Sequence, residues 1–252
     1  MAYQGIVSDW NGTLFKPPTD EGLNKTIAYA ALGHAVNGLK HGQVWKAADV
    51  ARLALTKGQL EKMVRRYEAG EIPINDVYDL FNRRVLSDMP ILVFSRAIYK
   101  YARSHRSDLD DNVLMPVSTA AQAGKETGIL SVSYSGSIIH ILGLDRLRLF
   151  GKIVAHGIVG SGSKVIGFNT DIYGRKAEVL EDRFFREGNL RPETTLYIGD
   201  SGEDEPVASV LPQGNFIVPF LATDDFKEKM ASKHNAFVPK NREELQDFLR
   251  TK

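Results

Sequence analysis

The spacing of apolar residues changes twice along the chain. A short apolar run, GIVSD at residues 5–9, predicts a buried β-strand, and PPTDEGL at 17–23 predicts a turn. Thr19 or Asp20 in that turn is suited to cap a following helix. From about residue 20 to residue 108, apolar residues recur every three or four positions with charges between them. This spacing predicts a block of amphipathic helices that contains no strand.

Strand-like runs return in the second half of the chain. They are rich in Ile, Val, Leu and Tyr and lie at residues 128–136, 151–160, 195–200 and 214–219. Helical segments alternate with them, including RKAEVLEDRFFREG at 175–188. Strand–helix alternation predicts a parallel sheet with helices on both faces. Because the first strand precedes the helical block, we predict an α/β core with a Rossmann-like parallel sheet and an all-helical domain inserted after its first strand.

Composition restricts the class of partner. The chain has 252 residues, of which 43% are hydrophobic and 25% charged, as in ordinary globular proteins. A net charge of +1 gives no basic footprint, so we expect neither nucleic acid nor a membrane surface as a partner. The chain has no cysteine, no apolar run near the ~20 residues that cross a bilayer, and no signal-peptide pattern. We expect a cytoplasmic protein, and nothing in the sequence indicates its oligomeric state.

Acidic side chains follow two of the predicted strands. Asp9 and Asn11 come after the first strand, and Asp200, Glu203 and Asp204 come after the strand at 195–200. Three acids within five residues repel one another unless a cation or hydrogen-bond donors offset the charge. Since parallel strands end at one edge of a sheet, Asp9, Asp200 and Asp204 could form an all-oxygen site suited to Mg²⁺. Taken alone, either segment would be interpreted as a solvated acidic turn.

Two further elements could contact an anion. Ser133 and Ser135 lie two positions apart near the end of a predicted strand, where a hydroxyl or the N–H groups of the next helix could bind phosphate. Lys176 lies in the first turn of a predicted helix, where a positive charge is unfavourable unless an anion is nearby. Taken singly, the serines could be a polar strand edge and Lys176 a solvated surface residue.

In combination, these motifs resemble the haloacid dehalogenase superfamily of hydrolases. The order is D-x-N-G-T-L, a strand-end Ser, a Lys and G-D-x-x-x-D. The stretch GRKAEVLEDRFFREGNLRPETTLYIGDSGEDEPV is similar to the phosphoserine phosphatase-like branch, and the helical insertion resembles a cap domain of the first type. The resemblance covers roughly residues 1–16 and 112–220. It implies a core at 1–16 and 110–252 and a helical cap at 17–109, with the cap selecting the substrate.

The resemblance also implies a mechanism. Asp9 would attack the phosphorus of a small phosphorylated metabolite and form an aspartyl-phosphate that water hydrolyses. Mg²⁺ would be held by Asp9, the backbone carbonyl of Asn11 and Asp200, with Asp204 as a ligand or a supporting residue.

The same resemblance implies the phosphate contacts. Ser133 or Ser135 and Lys176 would hold the transferred oxygens, and Lys176 would also balance the acids. Thr13 and the N–H groups around Gly12 would fix the conformation of the loop that carries Asp9. Thr13 would also bind the phosphate.

Asn11 departs from the family pattern, in which a second Asp protonates the leaving oxygen and then activates water. An amide hydrogen-bonds to that oxygen but cannot exchange a proton. Three explanations stand: a natural enzyme that uses Asn, an Asp→Asn substitution introduced to slow catalysis, or a protein that binds a phosphorylated ligand without hydrolysing it. Dehalogenation, which needs no Mg²⁺, is a further alternative; Gly12-Thr13 and the acid cluster count against it.

One segment imitates a nucleotide-binding motif. GIVGSGSKV at 157–165 resembles a phosphate loop, but Ser163 separates the last glycine from Lys164 and Val165 follows. The segment therefore predicts a β-hairpin turn.

Overall fold

The computed structural model describes residues 3–17, 19–87, 89–168 and 172–252, which divide into two units. The α/β unit comprises Met1–Asp20, His105–His156 and Gly174–Lys252, and the helical unit comprises Glu21–Ser104 and Gly157–Tyr173. Over the described ranges the strands are β1 Gly5–Ser8, β2 Glu126–Tyr134, β3 Lys152–His156, β4 Ile158–Ser161, β5 Lys164–Phe168, β6 Thr195–Ile198 and β7 Phe216–Ile217. The α-helices are α1 Glu21–Lys40, α2 Lys46–Glu68, α3 Ile74–Phe81, α4 Ile91–Ser104, α5 Asp111–Gln122, α6 Ser135–Leu147, α7 Lys176–Leu180, α8 Glu205–Ala208, α9 Asp224–His234 and α10 Arg242–Thr251.

A parallel sheet of order β3-β2-β1-β6-β7 forms the centre of the α/β unit. All four residues of β1 are buried, because helices cover both faces of a parallel sheet. Ser8, the last residue of β1, is in register with Ile129 of β2 and Ile198 of β6. Residues that follow these three strands therefore meet at one edge of the sheet, as in other open parallel sheets. The predicted α/β fold class is confirmed.

Local sequence signals explain several helix starts in this unit. Asp110 accepts a hydrogen bond from the Asn112 N–H at the start of α5, and Asn241 accepts one from the Glu244 N–H at the start of α10. Helix α10 is amphipathic and buries Leu245 and Leu249, which lie four positions apart.

The helical unit contains the amphipathic helices that the sequence predicts. Helix α1 buries one stripe, whose members recur every three or four positions: Leu23, Ile27, Ala31, Ala35 and Gly38. A short π-helical segment, Asn82–Leu86, continues α3 before α4 begins. None of the helices in the described ranges combines the length and the apolarity needed to cross a bilayer.

The predicted hairpin is present as the antiparallel pair β4–β5, and it groups with the helical unit. The Ile91 N–H donates to the Ser163 carbonyl at 2.8 Å, and the Val165 N–H donates to the Met89 carbonyl at 2.9 Å. The predicted core at 110–252 includes this hairpin, whereas the hairpin groups with the helical unit in the structure. The difference arises because these backbone hydrogen bonds join the hairpin to a segment 70 or more residues earlier in the chain, which the sequence pattern does not indicate.

Candidate active site

The loop after β1 is held in a fixed turn. The Asp9 N–H donates to the Ile198 carbonyl at 2.8 Å, and the Phe15 N–H donates to the Trp10 carbonyl at 2.9 Å. The buried rings of Trp10 and Phe15 stack with their centroids 5.3 Å apart. The packing of these two apolar rings explains why the polar loop after β1 has a defined conformation.

Gly12 and Thr13 shape the contact between this loop and Asp200. Gly12 has φ 71°, and a Cβ on it would lie 2.1 Å from Asp200 Oδ2. Glycine is therefore required for its left-handed backbone and for the close approach of the carboxylate. The Thr13 hydroxyl is fully buried and donates to Asp200 Oδ1 at 3.0 Å. Both residues thus hold the Asp200 carboxylate against the loop that carries Asp9.

Lys176 lies between two carboxylates in the interior of the α/β unit. Its Nζ is 3.0 Å from Asp9 Oδ1 and donates to Asp204 Oδ1 at 2.7 Å. The first contact is an ion pair at hydrogen-bond distance, and no other described group donates to Asp9 Oδ1. Burial alone would lower the pKa of Lys176, but the charges of Asp204 and Asp9 outweigh it and raise that pKa. Lys176 is therefore a permanent cation in this site.

Asp204 organises the loop that follows β6. Its Oδ1 accepts from Lys176 and from the Tyr197 hydroxyl, the latter at 2.8 Å. Its Oδ2 accepts from the backbone N–H groups of Asp200 and Ser201 at 3.2 and 3.3 Å, and from the Ser201 hydroxyl at 3.3 Å. With both oxygens occupied by donors, this carboxylate is better suited to support a metal site than to bind the metal directly.

The acids could hold a divalent cation. Asp9, Asp200 and Asp204 each offer an oxygen, and these oxygens lie within 4.8 Å of one another. Burial raises the pKa of Asp9 well above its ordinary value, and the opposing charge of Lys176 only partly offsets this effect. Burial and the charge of Asp204 raise the pKa of Asp200 to about 7. Close carboxylates with raised pKa values offer an all-oxygen set of ligands that fits a hard cation such as Mg²⁺.

A second polar cluster joins Asn11 to the end of β2. Asp20 Oδ1 accepts from the Asn11 amide at 3.2 Å and from the Ser133 hydroxyl at 2.8 Å. Burial raises the pKa of Asp20 from 3.8 to about 6, although both hydrogen bonds act in the opposite direction. Asp20 immediately precedes α1, but its carboxylate binds these two side chains instead of a helix N–H.

Solved structures that resemble this chain include phosphatases and a related hydrolase. A substrate-bound phosphoserine phosphatase is 17% identical, with a TM-score of 0.60 over 99% of this chain and 98% of that one. A phospho-aspartyl intermediate analogue of phosphoserine phosphatase is 18% identical, with a TM-score of 0.58 over 99% of each chain. A HAD family hydrolase from Salmonella enterica serovar Typhi is 16% identical, with a TM-score of 0.56 over 91% of this chain and 66% of that one. The chain has the fold of the HAD-like phosphatases. A scan of family models finds no match, and a comparison with curated protein sequences finds none either.

Most of the predicted site residues of this HAD-like fold meet at the sheet edge. Asp9, Thr13, Lys176, Asp200 and Asp204 form one connected network. Their roles in metal and phosphate binding remain predictions. In the structure the Thr13 hydroxyl donates to the Asp200 carboxylate.

The two candidate serines differ in their surroundings. Ser133 is buried and its hydroxyl proton is committed to Asp20. Ser135 is the first residue of α6, is partly exposed, and makes no side-chain hydrogen bond to any residue that the structure describes. The Ser133 hydroxyl is thus engaged within the protein and the Ser135 hydroxyl is not, and the contact of either serine with phosphate remains a prediction.

Two residues of the site, Asp20 and Tyr197, were not predicted from the sequence. Asp20 has the sequence context of a helix N-cap, and Tyr197 that of an ordinary strand residue. A buried tyrosine needs a partner for its hydroxyl, and Asp204 lies near it in sequence, which is a signal that could have identified Tyr197. No comparable local signal identifies Asp20, because Ser133 is 113 positions away.

Proposed function

We propose that this protein is a Mg²⁺-dependent phosphatase that hydrolyses a small phosphorylated metabolite through an aspartyl-phosphate on Asp9. The observation that carries the proposal is the buried Asp9 carboxylate beside Lys176, with Asp200 near enough to share a cation. The neighbour described as a phospho-aspartyl intermediate analogue supports an aspartate nucleophile in this fold. Asp9, Asp200 and the backbone carbonyl of Asn11 would hold Mg²⁺, which neutralises phosphate charge when bound.

The chain's own residues would act in two steps. In the first, an Asp9 oxygen attacks phosphorus, and the bond from phosphorus to the leaving oxygen breaks with its electron pair going to that oxygen. In the second, water attacks the same phosphorus, Asp9 leaves as a carboxylate and the water proton ends on the phosphate. Lys176 would stabilise the negative charge of the transferred oxygens, and Ser135 with the first N–H groups of α6 would bind them.

Asn11 determines which leaving groups suit this site. General acid–base catalysis contributes a factor of about 10²–10⁴ in rate, and an amide cannot provide it. Leaving groups that depart without a proton, as in acyl or aryl phosphates, do not need that contribution. We therefore propose that acyl and aryl phosphates react much faster here than alkyl phosphates.

Phosphate release from a small panel tests the proposal. Acetyl phosphate, p-nitrophenyl phosphate and glycerol phosphate are assayed with saturating Mg²⁺ and again with a chelator. We expect release from the first two compounds in the presence of Mg²⁺ only. Release that persists with the chelator would contradict the metal requirement and leave a metal-independent hydrolase such as a dehalogenase.

The amide at position 11 also favours a second function, the binding of a phosphorylated ligand without turnover. No phosphate release from any panel member, together with Mg²⁺-dependent binding of the same compounds in calorimetry, would favour that function.

A further inference from the structure

Asp20 joins two side chains that come from distant parts of the α/β unit. It is 4% exposed, and its Oδ1 accepts hydrogen bonds from the Asn11 amide and the Ser133 hydroxyl. Asn11 belongs to the loop after β1, Asp20 directly precedes α1, and Ser133 is the penultimate residue of β2. One carboxylate oxygen therefore fixes the relative positions of three chain segments next to Asp9.

The hydrogen bond to Asp20 determines the orientation of the Asn11 amide. The two ends of an amide are nearly identical in shape, so packing alone does not distinguish its nitrogen from its oxygen. A carboxylate accepts hydrogen bonds but does not donate them, so the nitrogen must face Asp20. Asn11 Oδ1 is left buried, without a hydrogen-bond donor among the residues that the structure describes. Buried oxygens of this kind normally have a donor, from the protein or from a bound group.

The identity of that donor follows from the chemistry of the site. Phosphate oxygens and a departing oxyanion are acceptors, so they cannot hydrogen-bond to the Asn11 oxygen. A water molecule has hydrogens to donate, and the second step of the proposed reaction requires one next to Asp9. When the amide oxygen accepts a hydrogen bond from this water, it orients a lone pair of the water oxygen. The amide does not remove the water's proton.

We propose that Asp20 is a positioning residue that holds the Asn11 amide oxygen ready to orient the water that attacks the phosphorylated Asp9. The inference rests on the proposed function and assigns Asn11 to the second step instead of the first. The water oxygen forms the new bond to phosphorus, the bond to Asp9 breaks with its electron pair going to the carboxylate, and the water proton ends on the released phosphate. No further reactant is needed.

Substitutions at Asp20 distinguish the effect of its hydrogen-bond acceptor from the effect of its negative charge. Asp20→Ala removes the acceptor and frees the amide to turn, whereas Asp20→Asn keeps an oxygen that can accept from Asn11. With acetyl phosphate and Mg²⁺, we expect Asp20→Ala to lower kcat at least about tenfold, as misplaced reacting groups do. We expect Asp20→Asn to stay within about fivefold of the native protein, since a neutral acceptor forms only a somewhat weaker hydrogen bond. The exposed Asp225→Ala is the matched control.

The level of phosphorylated enzyme distinguishes this role from a structural one. If the water step is slowed, Asp20→Ala should accumulate more phosphorylated Asp9 at steady state than the native protein, as quantified by mass spectrometry after acid quench. A folding defect alone would lower the amount of active enzyme without raising this fraction. If Asp20→Ala does not fold, Asn11→Ala removes the same amide oxygen and should show the same accumulation.

The possible outcomes separate the inference from the proposed function. A native protein that releases no phosphate from acetyl phosphate or p-nitrophenyl phosphate refutes the proposed function, and the inference with it. If the native protein is active, Asp20→Ala with native kcat and no accumulation refutes the inference alone. An Asp20→Asn variant as impaired as Asp20→Ala also refutes it, because the carboxyl group itself would then be required.

Discussion

The Lys176 ammonium and the Asp9 carboxylate form an ion pair with 3.0 Å between Nζ and Oδ1, and both side chains are almost completely buried. Taking two charges out of water is costly, and their attraction repays the cost only when further hydrogen bonds complete the network. Asp204 provides that completion on the other side of Lys176, at 2.7 Å. The site is thus a charged network inside the α/β unit, and its members depend on one another for stability.

Replacing Lys176 tests this dependence. Lys176→Met keeps most of the side-chain length but leaves Asp9 and Asp204 without their cation. We expect a loss of about 3–5 kcal/mol in the free energy of unfolding at pH 7, measured by urea denaturation, because uncompensated buried charges remain. The exposed Lys62→Met is the control. Equal unfolding free energies for the two variants would show that the ion pair does not contribute as described.

Stability should depend on pH through the buried carboxyl groups. Burial raises the pKa of Asp20 to about 6 and of Asp200 to about 7, both above the ordinary value of 3.8. Between pH 4 and 7 these two groups bind more protons in the folded protein than in the unfolded chain, so their contribution to stability falls as pH rises. We expect the melting temperature of the metal-free protein to decrease across this range.

Mg²⁺ should counteract that decrease, because the proposed site binds the cation through the ionised form of Asp200. The melting temperature should rise with Mg²⁺ at pH 7.5 and change little at pH 4.5, and Asp200→Asn should remove most of the rise. A stabilisation by Mg²⁺ that Asp200→Asn leaves intact would place the cation elsewhere.

The contact between Asn11 and Asp20 changes what an acid at position 11 would do. Asn11→Asp would bring a second buried carboxyl group to about the 3.2 Å that now separates the amide from Asp20. Like charges at that distance cannot both ionise readily, so we expect the single variant to be less stable and to gain little activity on glycerol phosphate.

The exchanged pair is the informative variant. Asn11→Asp combined with Asp20→Asn restores one carboxyl group and one amide in exchanged places. We expect it to hydrolyse glycerol phosphate up to about 10²-fold faster than the native protein. This factor is the lower end of the range that general acid–base catalysis contributes. If the single variant is as stable and as active as the double variant, Asp20 and position 11 are not coupled.

Thr13 allows a conservative test of the proposed metal site. Thr13→Val removes the hydroxyl that donates to Asp200 Oδ1 while preserving the shape of the side chain. We expect the Mg²⁺ concentration needed for half-maximal phosphate release to rise about tenfold, as for other partners of metal ligands. Thr13→Ser keeps the hydroxyl and should behave like the native protein. An unchanged Mg²⁺ requirement in Thr13→Val would mean that Asp200 needs no such support.

Sequence reasoning predicted the fold and the sheet edge because those features depend on local patterns. The apolar runs around Ile6 and Leu196 indicate strands, and the polar residues that follow them must lie at the carboxyl ends. Asp20 could not be assigned, because its two partners are fixed by tertiary structure and its local sequence is that of a helix cap. The hairpin β4–β5 was predicted, but its place in the helical unit depends on hydrogen bonds to Met89 and Ile91. The hydrogen bond that distinguishes Ser133 from Ser135 likewise depends on the position of Asp20 in the tertiary structure.

Chemical trapping of the intermediate tests the central proposal most directly. Borohydride reduces an aspartyl-phosphate to homoserine, and mass spectrometry of a protease digest identifies the modified position. With acetyl phosphate and Mg²⁺, we expect homoserine at position 9, and none when Mg²⁺ is removed or when Asp9 is replaced in Asp9→Asn. Phosphate release without homoserine at position 9, or with homoserine at another aspartate, would contradict the assignment of Asp9 as the nucleophile.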